Sequence, residues 1–222
     1  SPPPAPTATG HGVWPAMSLK DRLIAYGLGL AVMITIIATW GGYGHSWDEA
    51  YYYDPAVRIQ VWLADMLTAS PKPVDVASID ATWGGPNVPD GDRINELPAL
   101  PKIAWALGLA GFDRLFGPSG AMRAPVALAF AVLLGLLYRF GHALGGRRAA
   151  VGAVALFATL PRSWAEGHLA VAETFSALLF LATVYAFARS AWDRRWALVA
   201  GLIFGLALNT KIQAVLLPVI LI

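Results

Sequence analysis

The chain has 222 residues, of which 57% are hydrophobic and only 14% are charged, and its formal net charge is +2. A soluble domain carries about a quarter charged residues, so the composition excludes an ordinary soluble protein. The small net charge gives no reason to expect a nucleic-acid partner. Because the sequence contains no cysteine, disulfides and thiolate metal sites are also excluded.

The first elements in chain order are a tail and a membrane span. Residues 1–20 begin with "SPPPAPTATGHG", which cannot bury enough surface to fold and is predicted to be a disordered tail. The apolar run 22–40 is longer than that of a signal peptide and has no small-residue cleavage site after it, so it is predicted to be a retained span. Four later runs are also long and apolar enough to cross a bilayer: 121–140, 148–164, 170–189 and 196–222. The last run continues to the final residue, so we expect the 222 residues to be part of a longer protein.

Charge predicts the orientation of these spans. The segment between Gly41 and Pro98 contains nine acidic and three basic residues, whereas arginines follow the spans that end near residues 140 and 189. The positive-inside rule therefore places the N-terminus in the cytoplasm and residues 41–120 outside, as one large loop. Segment 97–117 then becomes an interfacial or re-entrant helix. We also predict an interfacial helix over 56–67 and an irregular loop over 70–95.

The predicted fold is an all-α integral membrane protein with about five transmembrane helices and a large first external loop that carries interfacial helices. Residues 21–222 form its membrane module. Ionisable residues at membrane depth are candidates for function, and several are predicted at the outer face. A helical rise of 1.5 Å per residue places Glu173 about 5 Å and Lys211 about 8 Å below that surface. Asp48 and Glu49 follow the first span, and His168 precedes Glu173.

Each of these residues also has a structural interpretation. Lys211 would extend its ammonium to the interface, Glu173 would stabilise a helix N-terminus, and Arg123 would anchor a span at the headgroups. His168 would be a hydrogen-bonded interfacial histidine. The adjacent acids Asp48 and Glu49 are harder to explain structurally, since burying them beside apolar surface has a desolvation cost.

Two segments of the first external loop resemble the C-type, multispan glycosyltransferases, which include protein mannosyltransferases and the aminoarabinose transferases of lipid A. "SWDEAYYYDPA" (46–56) resembles their Asp-Glu motif. "NELPALPKIAWALG" (95–108) is similar to their His-Pro-Pro-Leu-x-Lys element. It contains Lys102 at the lysine position, and Leu97 and Ala99 at the histidine and second proline positions.

The resemblance continues in order along the chain to about residue 218. "MRAPVALAFAVLLGLLYRFGHALGGRRAA" (122–150) resembles the next span and its basic turn, and "PRSWAEGHLAVAETF" (161–175) resembles the second external loop, with Glu173 at the position of an aspartate. "GLIFGLALNTKIQAVLLP" (201–218) resembles a Gly-rich span that ends in Thr-Lys. The resemblance implies an inverting hexosyl or pentosyl transfer from a polyprenyl-phosphate sugar.

The resemblance also implies roles for individual residues. Asp48 is expected to be the catalytic base that activates the acceptor hydroxyl. Lys102, Lys211 and Arg123 are expected to bind the donor phosphate. Acceptor or cation binding is expected from Glu49, Glu173 and His168; a divalent cation such as Mg²⁺ or Mn²⁺ is left open.

Several alternatives remain open at this stage. The expected partners are the lipid-linked donor, membrane lipid, and an acceptor that is a protein, lipid or glycan; the expected location is the bacterial cytoplasmic (inner) membrane. A non-catalytic subunit of a larger membrane complex would have the same helices. Ion or proton transport is disfavoured because the charges gather at one face and do not line a path across the bilayer.

Overall fold

The structure is a computed structural model that describes residues 16–84 and 98–221. Its α-helices are, in chain order, α1 (Leu19–Thr39), α2 (Trp47–Thr68), α3 (Val76–Trp83), α4 (Ala99–Thr159), α5 (Pro161–His168), α6 (Glu173–Ser190), α7 (Arg195–Leu208) and α8 (Leu217–Leu221). Short 3₁₀ helices cover Trp40–Gly42 and Ile212–Leu216. The described ranges contain helices and no strand, which confirms the all-α fold class there.

Helix α1 corresponds to the first predicted span. Ser18 caps its start by accepting a hydrogen bond from the amide of Asp21. Helix α1 packs against α4, and the two backbones approach closely at Gly29, where a Cβ would lie 2.7 Å from the carbonyl oxygen of Ala131. The first core cluster forms along this contact, with Ile36 and Phe130 among its buried members.

Helix α4 consists of three parts, because glycines interrupt its backbone at two places. Gly117 has φ 68° and Gly146 has φ 72°, values that suit glycine because it has no Cβ. We call the parts α4a (99–116), α4b (118–144) and α4c (147–159). Parts α4a and α4b approach closely at Gly108, and α4c returns along α4b, where a Cβ on Gly141 would lie 3.1 Å from the Cα of Ala150.

The external loop contains more helix than predicted. Helix α2 begins at Trp47, well before the predicted start at residue 56, because Ser46 and Glu49 form a capping box. Helix α3 occupies part of the segment 70–95 that was predicted to be irregular, and Asp75 caps it by accepting a hydrogen bond from the Ser78 amide. The rest of that segment and most of the predicted tail lie outside the described residues.

Two predicted spans are interrupted. The predicted span 148–164 ends at Thr159, where the chain turns into α5, and the predicted span 196–222 is divided by the 3₁₀ helix after α7. Among the described residues, length and composition identify two helices that are able to cross a membrane, Leu19–Gly42 and Ala99–Thr159. A third is present if α5 and α6, which meet at 112°, form one bent span. The number of five spans stays a prediction.

Candidate active site at one end of the helices

Glu49 and Arg123 form a buried ion pair between α2 and α4b. The Arg123 Nε lies 2.7 Å from Glu49 Oε1, and Nη2 lies 2.7 Å from Oε2. Only 5% of Glu49 and 3% of Arg123 are exposed. The two parallel bonds are the strong bidentate arrangement of an arginine and a carboxylate, so the pair fixes the first turn of α2 against α4b.

Backbone amides complete the surroundings of the Glu49 carboxylate. Oε1 also accepts from the amide of Ala170 at 2.8 Å, and Oε2 accepts from the amide of Ser46 at 3.1 Å. Burial alone raises the pKa of Glu49, but the hydrogen bonds from Arg123 and from these amides outweigh it, and the pKa lies below its ordinary value of 4.5. Glu49 is therefore held as a fully hydrogen-bonded anion.

Arg123 uses its remaining N–H groups on the connection between α1 and α2. Nη1 donates to the carbonyl oxygens of Trp40 at 2.7 Å and Tyr43 at 3.2 Å, and Nη2 donates to that of Gly44 at 2.9 Å. Together with the two bonds to Glu49, these contacts occupy all five N–H groups of the guanidinium. Arg123 was predicted to bind the donor phosphate. To do so, it would have to give up at least one of these five hydrogen bonds.

Asp48 lies beside this ion pair but differs from it in exposure. It is one residue before Glu49 in the first turn of α2, and its side chain is exposed. A cleft of about 400 Å³ adjoins the same turn, lined by Glu49, Tyr53 and His45 from the α2 side and by Ser119 and Met122 from α4b. The predicted catalytic base is thus open to solvent, while the adjacent acid is buried.

His168 is buried and both of its ring nitrogens have partners. Nδ1 lies 2.7 Å from the carbonyl oxygen of Trp164, and Nε2 lies 2.8 Å from the hydroxyl of Thr39. The ring stacks on Tyr43 with centroids 4.4 Å apart. The contacts match a hydrogen-bonded structural histidine, and acceptor or cation binding by His168 would require one nitrogen to change partner.

Glu173 and Lys211 form the ion pair that their predicted depths imply. The Lys211 Nζ lies 2.5 Å from Glu173 Oε1. About a quarter of each side chain is exposed, 28% for Glu173 and 27% for Lys211. This pair therefore remains accessible to a ligand, in contrast to the pair of Glu49 and Arg123.

Lys102 belongs to α4a, and a backbone contact connects its segment to that of Lys211. The amide of Leu100 donates to the carbonyl oxygen of Asn209 at 3.0 Å. Lys102 itself is only 2% exposed. Lys102 and Lys211, two of the predicted phosphate ligands, each follow a partner of this backbone hydrogen bond by two residues.

Ala170 and Glu173 connect the two ion pairs through the short segment between α5 and α6. Ala170 bonds to Glu49, and Glu173 bonds to Lys211. The same short segment therefore contacts the pair of Glu49 and Arg123 through Ala170 and contacts Lys211 through Glu173. Asp48 precedes Glu49, and His168 precedes Ala170 by two residues. Among the residues in the described ranges, no group of three or more His, Asp or Glu side chains has the geometry to hold a metal ion.

Sequence reasoning missed a polar cluster at the opposite end of α1. Asp21 is buried and accepts hydrogen bonds from Arg147 Nε at 2.7 Å and the Tyr138 hydroxyl at 3.2 Å. His142 lies 3.6 Å from the same carboxylate. The sequence offered two signals, an acid at the start of an apolar run and an arginine after a Gly-Gly turn. Neither signal indicates that Asp21 and Arg147 are in contact.

Comparison with known proteins gives the family. The model of the family described as dolichyl-phosphate-mannose-protein mannosyltransferase matches residues 99–222, which is more than half of the chain. No curated protein and no solved structure matches. The matched region contains Lys102, Arg123, His168, Glu173 and Lys211 but not Asp48 or Glu49. The resemblance to multispan glycosyltransferases is confirmed, and the chain belongs to the dolichyl-phosphate-mannose-protein mannosyltransferase family of membrane glycosyltransferases.

Proposed function

We propose that this protein transfers a sugar from a polyprenyl-phosphate donor to an acceptor hydroxyl at the outer face of the membrane, with Asp48 as the catalytic base. The observation that carries the proposal is the division between two adjacent carboxylates. Glu49 accepts four hydrogen bonds and is buried, whereas Asp48 in the same helical turn is exposed. A base must reach the proton that it removes, and of these two acids Asp48 is the exposed one.

Glu49 and Arg123 have a positioning role in this proposal. Their ion pair holds the first turn of α2 against α4b, and the Ala170 amide ties the same carboxylate to the segment before α6. A base acts efficiently only when it is held in the productive geometry. Arg123 is assigned to this role in place of the donor phosphate, because its N–H groups are already used.

The donor phosphate is assigned to Lys211, with Lys102 as a second ligand that has to become accessible first, because it is only 2% exposed. A polyprenyl phosphate is anchored by its tail, so its phosphate lies at the membrane surface, where a lysine ammonium stabilises its charge. Lys211 is exposed enough to exchange part of its contact with Glu173 for a phosphate oxygen. The backbone bond from Leu100 to Asn209 holds the Lys102 segment beside it.

The proposed reaction is a single displacement. The acceptor oxygen forms a bond to the anomeric carbon, and its proton moves to Asp48. The bond from that carbon to the phosphate oxygen breaks, and polyprenyl phosphate leaves with the electron pair. One displacement inverts the anomeric configuration. The sugar is a hexose or a pentose.

Asp48→Asn tests the proposal, because it removes the charge and keeps the shape. The measurement is transfer of radiolabelled sugar from polyprenyl-phosphate donors by the protein in proteoliposomes. We expect turnover to fall by about 10²–10⁴-fold, the usual contribution of a general base. The matched control is Asp54→Asn, an exposed acid of the same helix, which should leave turnover unchanged.

Two results would contradict this assignment. Full turnover by Asp48→Asn would show that the carboxylate is not the base. Absence of transfer by the unchanged protein from every donor tested, with normal thermal unfolding, would favour the non-catalytic subunit.

A further inference from the structure

An apolar groove runs along the apolar helices, and its end at Arg139 lies away from the candidate active site. It has a volume of about 410 Å³ and runs between α1, α4b and α6. Leu30 of α1, Leu128 of α4b and Leu178 of α6 contribute to its walls. Gly135 also lines it, and a Cβ on Gly135 would meet no atom within 4 Å. The missing side chain therefore leaves a depression in the groove.

The length of the groove matches one leaflet of a bilayer. From Leu128 to Arg139, both of which line the groove, α4b rises about 16 Å at 1.5 Å per residue. Half of a hydrocarbon core about 30 Å thick is about 15 Å. An acyl chain in the groove would therefore reach from the membrane surface at Arg139 to the middle of the bilayer at Leu128.

Arg139 gives the surface end of the groove a positive charge. Its guanidinium lies 5.9 Å from the ring centroid of Tyr185, and Arg189 lies 6.0 Å from the same ring. Within the described residues, the guanidinium of Arg139 makes no hydrogen bond or ion pair. The guanidinium of Arg123, in contrast, uses all of its N–H groups. Other basic residues belong to the same ends of the helices: Arg22, Arg147, Arg148, Arg194 and Arg195.

We propose that this groove binds an anionic phospholipid of the leaflet on the Arg139 side, with one acyl chain against Gly135 and the headgroup phosphate at Arg139. Under the predicted orientation this is the cytoplasmic leaflet. A planar guanidinium binds a phosphate through two N–H groups, and the excess of basic residues favours a lipid of net negative charge. The headgroup end of the groove is separate from the ion pair of Glu49 and Arg123, since Arg123 and Arg139 are about 24 Å apart along α4b.

Native mass spectrometry of the purified protein tests the proposal, with palmitoyl-oleoyl phosphatidylglycerol and the phosphatidylcholine with the same chains as probes. We expect tighter binding of phosphatidylglycerol. Arg139→Gln should weaken it about fivefold, the contribution of one basic residue at an anionic surface, and leave phosphatidylcholine binding unchanged. Gly135→Leu fills the groove and should weaken binding of both lipids.

Matched controls separate these effects from general changes at the membrane face. Arg148→Gln removes an exposed arginine outside the groove, and Gly152→Leu adds the same side chain at a glycine of α4c with open space around it. Arg148→Gln should weaken phosphatidylglycerol binding less than Arg139→Gln does, and Gly152→Leu should leave the binding of both lipids unchanged. If Gly135→Leu does not fold, Arg139→Gln alone still decides, because its side chain is exposed.

Three outcomes would overturn the proposal. The first is equal binding of the two lipids by the unchanged protein. The second is unchanged phosphatidylglycerol binding in a folded Gly135→Leu or in Arg139→Gln. The third is a different occupant, shown by stronger groove-dependent binding of a polyprenyl phosphate or by a monomer–dimer equilibrium that shifts in Gly135→Leu.

Discussion

Asp48 and Glu49 are neighbours in the chain, yet the first turn of α2 directs one to solvent and the other into the protein. Glu49 occupies the third helical position, where its carboxylate returns to the Ser46 amide. The same oxygens then receive Arg123 and the Ala170 amide. One side chain therefore caps a helix and neutralises an arginine, and its loss affects both functions.

The protonation of Glu49 predicts an acid-sensitive fold. The pKa of Glu49 is depressed in the folded protein, so its ion pair stabilises the fold fully above its ordinary pKa of 4.5. That stabilisation is lost as the pH falls below 4.5 and through the folded-state pKa. Thermal unfolding of the purified protein should show a midpoint that falls over this range.

Glu49→Gln checks that this acid sensitivity comes from Glu49. The variant leaves Arg123 buried without a counter-ion, which costs about 3–5 kcal/mol, and its unfolding midpoint should change less below pH 4.5 than that of the unchanged protein. Asp54→Asn provides the exposed control and should behave as the unchanged protein does. Equal acid sensitivity of Glu49→Gln would show that other groups are responsible.

The second ion pair allows binding to be distinguished from stability. If Lys211 binds the donor phosphate, Lys211→Gln should raise the KM for the donor about tenfold, as expected for loss of one charged hydrogen bond. Glu173→Gln keeps the ammonium and should affect that KM less. The measurement is transfer rate against donor concentration. A purely structural pair would instead lower the unfolding temperature in both variants with the same KM.

These two pairs show what sequence can predict about single contacts. Glu173 begins α6, and Lys211 follows α7 in the break before the 3₁₀ helix. A constant rise per residue along the two apolar runs predicted a similar depth for both, and their side chains are in contact at 2.5 Å. Glu49 follows the connection 40–46, whose path has no such regularity. Its partner Arg123 was therefore identified only as a charge near the same surface.

At the scale of helices, local signals and distant contacts contribute differently. The spacing from Ser46 to Glu49 fits a capping box, so the sequence contains a signal for the start of α2. The predicted start at residue 56 rested on the amphipathic pattern alone. The breaks at Gly117 and Gly146 follow from glycine backbone freedom. That α4a then returns along α4b depends on a close approach that no local pattern indicates.

Gly108 makes that approach possible, and its substitution is a sharp test. A Cβ at Gly108 would lie 2.3 Å from the Ala121 carbonyl oxygen, which receives no helical hydrogen bond because Pro125 has no N–H. Gly108→Ala should destabilise the protein by about 1–3 kcal/mol through overpacking. The measurement is chemical or thermal unfolding in detergent.

Gly111→Ala, in the same part of α4, is the matched control. Its new methyl group meets no atom within 4 Å, so only the helix preference of alanine changes, which favours the variant by about 1 kcal/mol. Gly108→Ala being as stable as Gly111→Ala would mean that α4a and α4b are not held in contact.

At the scale of the whole molecule, the ends of several helices gather around one connection. The end of α1, the start of α2, the segment before α6 and α4b all meet at Arg123, Glu49 and Ala170. The Asp21 cluster closes the other end of α1 against the Gly145–Gly146 turn. The sequence predicted that charged residues collect at one end of the helices, because residue order and the length of the apolar runs determine the level of each charge. It did not predict that all five N–H groups of Arg123 are hydrogen-bonded within the protein.

The predicted orientation is testable because the chain contains no cysteine. Val76→Cys in the external loop and Leu144→Cys beside the Gly-Gly turn introduce single thiols at exposed positions. With a membrane-impermeant maleimide, Val76→Cys should label in intact cells and Leu144→Cys only after lysis. Labelling of both from the same side would contradict the topology, and with it the placement of Asp48 outside.

The contacts of Arg123 also determine how freely the connection between α1 and α2 can change in length. Surface connections usually accept extra residues at little cost. This one is fixed at its beginning through the Trp40 carbonyl, along its path through Tyr43 and Gly44, and beyond its end through Glu49, all by one guanidinium. An inserted residue would require Arg123 to release either its carbonyls or its carboxylate. We therefore expect residues 40–46 to reject insertions that the connection between α2 and α3 accepts, so that the distance from the membrane to Asp48 is set by the reach of a single side chain.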